Sequence, residues 1–162
     1  METWTSAAPY AGLVGLLFAL LIYLAIKRYP SGSEKMIEIS DDIHDGAMAF
    51  LKREYSILLV FVVVVFALLF VFLDARTSYA FLAGAACSIV AGFAGMKAAT
   101  RANVRTAQAA NDQGQGPALN VAFMGGAVMG LAVASLGMFG VASLGAAFGV
   151  WGNIDSAKAI SG

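Results

Sequence analysis

Two clusters of residues in this chain have types and spacings that chemistry could use. In "SDDIHDGAMAFLKREY", Ser40 to Tyr55, Asp41 and Asp45 form an Asp-x-x-x-Asp pair on one helical face, with His44 beside them. Carboxylates so placed would suit a divalent cation or its phosphate complex. In "GMKAATRANVRTAQAA", Gly95 to Ala110, the residues Lys97, Arg101 and Arg105 recur every four positions, flanked by Thr100, Asn103 and Thr106. On a helix they make one cationic stripe. Such a stripe would suit a phosphate or an anionic lipid headgroup, and equally would orient a membrane helix. Cys87 is the only cysteine and sits in an apolar run, which offers neither a disulfide framework nor a thiolate metal site and reads as packing.

Each cluster also has a plainer reading. Asp41, Asp42 and Asp45 read as acids in the first turn of an amphipathic helix, where carboxylates suit the macrodipole. His44, the sole histidine, has no second ligand at metal-binding spacing. The basic stripe follows an apolar segment, the place where topology alone asks for positive charge. No glycine-rich phosphate loop follows a strand. We therefore assign no catalytic, cofactor-binding or metal-ligating residue within the chain.

The elements that carry these residues follow from composition. The chain is 60% hydrophobic and only 12% charged, against about 25% charged in a soluble domain, so it is read as an integral membrane protein. Ten basic and ten acidic residues balance, and nothing in the charge suggests a nucleic-acid partner. Apolar segments lie at about 7–26, 57–73, 78–96 and 118–150. Backbone polar groups need internal partners in lipid, so these are expected as helices, and the alternation of an outer-membrane barrel is missing. The expected fold class is all-α: a polytopic membrane protein whose four transmembrane helices form part of a larger helical bundle. Segment 57–73 needs about 25 Å, most of a hydrocarbon core. The chain then stays uncharged from Ala118 to Trp151, roughly 34 residues, more than a ~30 Å core requires. That helix is expected to protrude, tilt or break near its glycines. Its four-residue repeats, Gly126, Gly130 and Ala134, then Gly145 and Gly149, predict close helix packing.

The segments 27–56 and 97–117 contain Lys27, Arg28, Lys35, Lys52 and Arg53 in the first and the basic stripe in the second. The N-terminal tail has no Lys or Arg, and the turn at 74–78 has only Arg76. The positive-inside rule then predicts an outside N-terminus and two cytoplasmic loops. Within the first loop, Ile43, Ala47, Phe50 and Leu51 fall at helical spacing and predict an amphipathic segment feeding the second crossing. The acidic start "METWTSAAPY" argues against a cleaved secretory signal, and "AKAISG", without a cap or closing element, suggests a truncation. No span carries an ionisable residue near its middle, so this segment alone is not expected to relay ions. On the residues alone, a small non-enzymatic membrane subunit that binds partner helices through glycine-rich faces remains an alternative.

The stretch "GMKAATRANVRTAQAA" closely resembles a signature of the membrane-bound, ion-pumping inorganic pyrophosphatases. "DGAMAFLKREY", Asp45 to Tyr55, is similar to that family's first cytoplasmic loop, and "VAFMGGAVMGLAVASLG" resembles its glycine-rich fourth helix. The resemblance covers about residues 40–140. It implies an inorganic diphosphatase coupled to export of protons or sodium ions, embedded in a prokaryotic inner membrane. It also implies a homodimer of long chains, Mg2+ as cofactor with ligands outside this segment, and K+ or Na+ as further ions. Helices of this region belong to the outer ring, around a pyrophosphate site built from later helices. Asp41 and Asp45 share the spacing of the family's substrate motif but lack its flanking Gly-Ala-Asp and Lys residues, so no catalytic role is carried over to them.

Overall fold

The computed structural model describes residues 2–148, with side chains from Ala7 onward. It contains four helices, α1 (Glu2–Ile26), α2 (Glu34–Phe72), α3 (Ala75–Gln113) and α4 (Gln115–Ala147), and no strand among the described residues. The protein is all-α, and every helix is long and apolar enough to cross a membrane. The calls on Trp151, Gly149 and the C-terminal "AKAISG" fall outside the described residues.

Each helix stops for a local reason. α1 ends at Ile26, just before Pro30, which the preceding backbone cannot accommodate in helical geometry. Gly32, at φ +88°, turns the chain, and Ser33 caps α2 by accepting a hydrogen bond from the Met36 amide at 3.4 Å. Asp74 caps α3, accepting from the Thr77 amide at 2.7 Å. One residue, Gly114 at φ +85°, separates α3 from α4. Only glycine adopts that conformation without strain, and Pro117 follows in the first turn of α4, where no amide donor is missed.

Two long segments expected as loops are largely helical. α2 and α3 have 39 residues each and extend about 58 Å, nearly twice a ~30 Å hydrocarbon core. Both run past the apolar stretch at the same end of the bundle, the charged end. α4 continues unbroken through its glycines for 33 residues.

α4 is the centre of the bundle, packed between α1 and α3, while α2 leans mainly on α3. Its buried residues, Ala118, Val121, Gly125, Val128, Ala132, Ser135, Ala142 and Gly145, recur at spacings of three, four and seven, one helical face, and Gly145 of the second expected repeat is thus on it. Ile26, Ala98, Ala102 and Val128 bring α1, α3 and α4 together in one cluster. Approach is close enough to require missing side chains. A Cβ on Gly12 would lie 2.8 Å from the Ser135 carbonyl oxygen, and one on Gly125 would lie 2.7 Å from Ala102 Cβ. Gly126 and Gly130 of the expected packing repeat are different: nothing within 4 Å would meet a Cβ there. Within these four helices the contact face is offset by one residue, running through Gly125. The repeat itself lies on a face of α4 that also carries exposed Leu119, Phe123 and Val133.

Candidate functional site

The polar residues singled out by spacing meet at the charged end, where α2 and α3 run side by side. The two helices keep one antiparallel register along their length. Asp41 faces Arg101, His44 faces Thr100, Tyr55 donates to the Ile89 carbonyl at 3.1 Å, and Phe66 packs on Tyr79 with ring centroids 5.9 Å apart.

Asp41 accepts from Arg101 Nη1 at 2.7 Å. Both side chains are partly in solvent, so the pair contributes only about 0.5 kcal/mol. One helical turn further, Thr100 Oγ1 lies 2.8 Å from His44 Nδ1. The buried Thr100 hydroxyl has one hydrogen, with the Met96 carbonyl at 3.0 Å. The Lys97 carbonyl lies 3.3 Å from the same hydroxyl; with the hydroxyl hydrogen on either carbonyl, the Thr100 oxygen accepts from an Nδ1–H of His44. Arg105 Nη1 donates to the Arg101 carbonyl at 2.7 Å. Its Nε is buried and has no hydrogen-bond partner. Lys97 points elsewhere, its ammonium 5.8 Å from the centroid of the Phe93 ring.

The first-turn reading of Asp41, Asp42 and Asp45 is corrected by this geometry. With Ser33 as the cap, α2 begins at Glu34, and all three aspartates lie beyond the first turn, where the dipole has faded. Asp41 is instead oriented by Arg101. The cationic stripe is likewise not one surface: Lys97, Arg101 and Arg105 share a helix, but each is directed to a different neighbour. Sequence reasoning named Asp41, His44, Thr100 and Arg101 and missed how they pair. The usable signal was that two helices in antiparallel register place Asp41 opposite Arg101 only if both continue beyond their apolar stretches.

Chemically the cluster is a brace. No group of three or more His, Cys, Asp or Glu side chains that could hold a metal is present among the described residues. His44 Nδ1 is occupied by Thr100, and Asp41 is already paired. The segments "DGAMAFLKREY" and "GMKAATRANVRTAQAA" lie on α2 and α3, whose charged ends carry this brace, and "VAFMGGAVMGLAVASLG" forms most of the central α4.

Residues 13–161 match the family model described as Inorganic H+ pyrophosphatase. The chain belongs to this family. A Clostridium tetani protein, provisionally named a K(+)-stimulated pyrophosphate-energized sodium pump, is 49% identical over 131 residues, covering 81% of this chain and 19% of the relative. A K(+)-insensitive pyrophosphate-energized proton pump of Methanosarcina mazei is 44% identical over 146 residues, 89% of this chain and 22% of the relative. A K(+)-stimulated pyrophosphate-energized sodium pump of Thermotoga maritima is 44% identical over 146 residues, 89% of this chain and 20% of the relative. The chain spans about a fifth of the length of these curated relatives. Family membership and the four membrane-length helices together make it an integral membrane protein.

Proposed function

We propose that this chain is the N-terminal, outer-helix portion of a pyrophosphate-energised ion pump. The whole protein would hydrolyse inorganic pyrophosphate on the cytoplasmic side and export protons or sodium ions. The observation that carries this reading is the family match over residues 13–161, joined to relatives that are named as proton pumps and as sodium pumps. In that reaction an activated water would attack a phosphorus of pyrophosphate, and magnesium, which the family resemblance implies, would offset the charge on the phosphates. The residues described here do not fit a magnesium site, and we assign no step of hydrolysis to them. Their part is to hold outer helices in register through Gly12 and Gly125 inside the bilayer and through Asp41–Arg101 and His44–Thr100 beyond it.

The proposed setting is a prokaryotic inner membrane, with a homodimeric assembly and the N-terminus outside. The charged end, with Lys27, Arg28, Lys35, Lys52, Arg53 and the stripe on α3, supports a cytoplasmic placement. The experiment is to express the full reading frame containing this chain and to supply Mg-pyrophosphate to inverted vesicles. Hydrolysis with ion uptake into the vesicles is expected, and membranes that do not cleave pyrophosphate would overturn the assignment. Orientation is tested with Asn111→Cys, an exposed position at the charged end, in a Cys87→Ser background. Labelling by an impermeant maleimide from the outer face would reverse the topology.

A further inference from the structure

α1 and α3 both pack on α4 but scarcely touch each other. The gap between them is a sideways-opening groove of about 260 Å³. Buried Val128 and Ala132 of α4 form its floor, and half-exposed Leu20 of α1 and Phe93 of α3 form its walls. It follows α1 from Leu16 to Tyr23, about 10 Å at 1.5 Å per residue, and Lys97 lines it toward the charged end.

The cation at this mouth is unlike its two neighbours on α3. Arg101 is paired with Asp41, and Arg105 is turned onto a backbone carbonyl. Lys97 makes no ion pair among the described residues; its only recorded partner is the Phe93 ring. The side chain therefore lies along apolar surface with its charge at the end of the apolar stretch, the geometry of a snorkelling lysine.

We propose that this groove binds one acyl chain of an anionic glycerophospholipid, with the lipid phosphate held by Lys97. An apolar channel that ends at an ammonium with no ion pair among the described residues is complementary to a molecule with a hydrocarbon chain and an adjacent phosphate anion. Free phosphate would leave the groove unfilled, and a zwitterionic lipid would return less of the electrostatic attraction. The inference does not depend on pyrophosphate hydrolysis, because its readout is lipid occupancy.

The test uses the full-length protein in nanodiscs of phosphatidylcholine with one-tenth phosphatidylglycerol, followed by native mass spectrometry after mild detergent extraction. The expected result is a retained phosphatidylglycerol per chain, reduced about five-fold by Lys97→Gln, the loss of one basic contact, and kept by Lys97→Arg. Lys97 is exposed, so its replacement leaves packing intact. Retention of the two lipids in the proportions of the nanodisc, or equal retention by wild type and Lys97→Gln, would overturn the proposal. A spin label at Leu20→Cys, in the Cys87→Ser background, reports the occupant independently. Relaxation by dissolved oxygen is expected where lipid fills the groove, and shielding together with no retained lipid would mean that another helix of the protein fills it.

Discussion

The apolar stretch of α2, "ILLVFVVVVFALLFVFL", and the helix α4 are both long, apolar and helical, yet they are built from opposite residues and occupy opposite places. From Ile57 to Leu73 bulky and β-branched side chains fill almost every position, and only Val62 of that stretch is buried. α4 mixes Gly, Ala and Ser among its larger residues and is packed on both flanks by α1 and α3. In water the bulkier, more hydrophobic helix would be drawn to the core. In a bilayer lipid tails satisfy Val and Phe as well as protein does, so burial goes to the helix whose small residues permit close backbone approach.

The largest way to break this difference is to give α1 and α4 a side chain where they meet. In Gly12→Leu, even the first added carbon would stand 2.8 Å from the Ser135 carbonyl oxygen and 2.9 Å from Phe139 Cβ. Because the obstacle is partly backbone, the helices must separate, and we expect a loss of about 3 kcal/mol, read as a drop in the midpoint of unfolding in mixed micelles. Gly130→Leu, on the open face of α4, is the matched control in this four-helix segment and is expected to stay within about 0.5 kcal/mol. Equal losses from the two substitutions would remove the distinction between the faces.

Outside the apolar stretches α2 does have polar partners. Thr100→Val keeps the shape of the side chain but leaves Nδ1 of the part-buried His44 without its hydrogen-bond partner. The expected cost is about 1–2 kcal/mol. Replacing His44 by Ala in the same background should add little, because the lost bond is shared. A double-mutant cycle measures this coupling, and strictly additive effects would mean that the 2.8 Å contact does not hold α2 to α3.

These contrasts show what could be read from sequence and what could not. The spans were legible because bilayer thickness imposes length and hydropathy on each segment separately. The run from Ile43 to Leu51 was legible as helix because helical period shows within one segment, but of its apolar face only Leu51 is buried, and Ile43 and Phe50 stay exposed. The start of α2 at Glu34 was missed because three aspartates within five residues resemble a helix start more than Ser33 does. The brace was missed because Asp41 and Arg101 are 60 positions apart, and only the register of two packed helices makes them neighbours. Around Gly126 and Gly130 the packing face of α4 was displaced by one residue for a similar reason, while Gly145 of the second repeat is buried as expected. Gly125 and Gly126 are adjacent in a run where both are small, and composition cannot say which one faces Ala102.

A smaller contrast lies inside α2 itself, between adjacent valines. Val62 is buried and Val63 is 59% exposed. Val62→Ala is expected to cost about 0.5–1 kcal/mol of lost packing, less than a similar change in a water-soluble core, since the released surface is covered by lipid. Val63→Ala should cost less still. Unfolding midpoints in one detergent decide it, and a larger loss at position 63 would place α2 the other way round against α3.

The smallest effect concerns how α2 is joined to α3. Hydrogen bonds from Thr77, side chain and backbone, hold the Asp74 carboxyl below its ordinary range, with a smaller contribution from Arg76. The folded value lies below the unfolded one, so the ionised cap stabilises the folded state at every pH above the ordinary carboxylate value of about 3.9. That contribution is lost as the pH falls through the lowered folded value. Asn is also a good cap but does not titrate. The unfolding midpoint of Asp74→Asn relative to wild type should therefore be constant at neutral and mildly acidic pH and rise only below the ordinary carboxylate range. A difference that changes between pH 5 and pH 7 would mean that some other group, and not the Asp74 cap, sets the acid sensitivity of this turn.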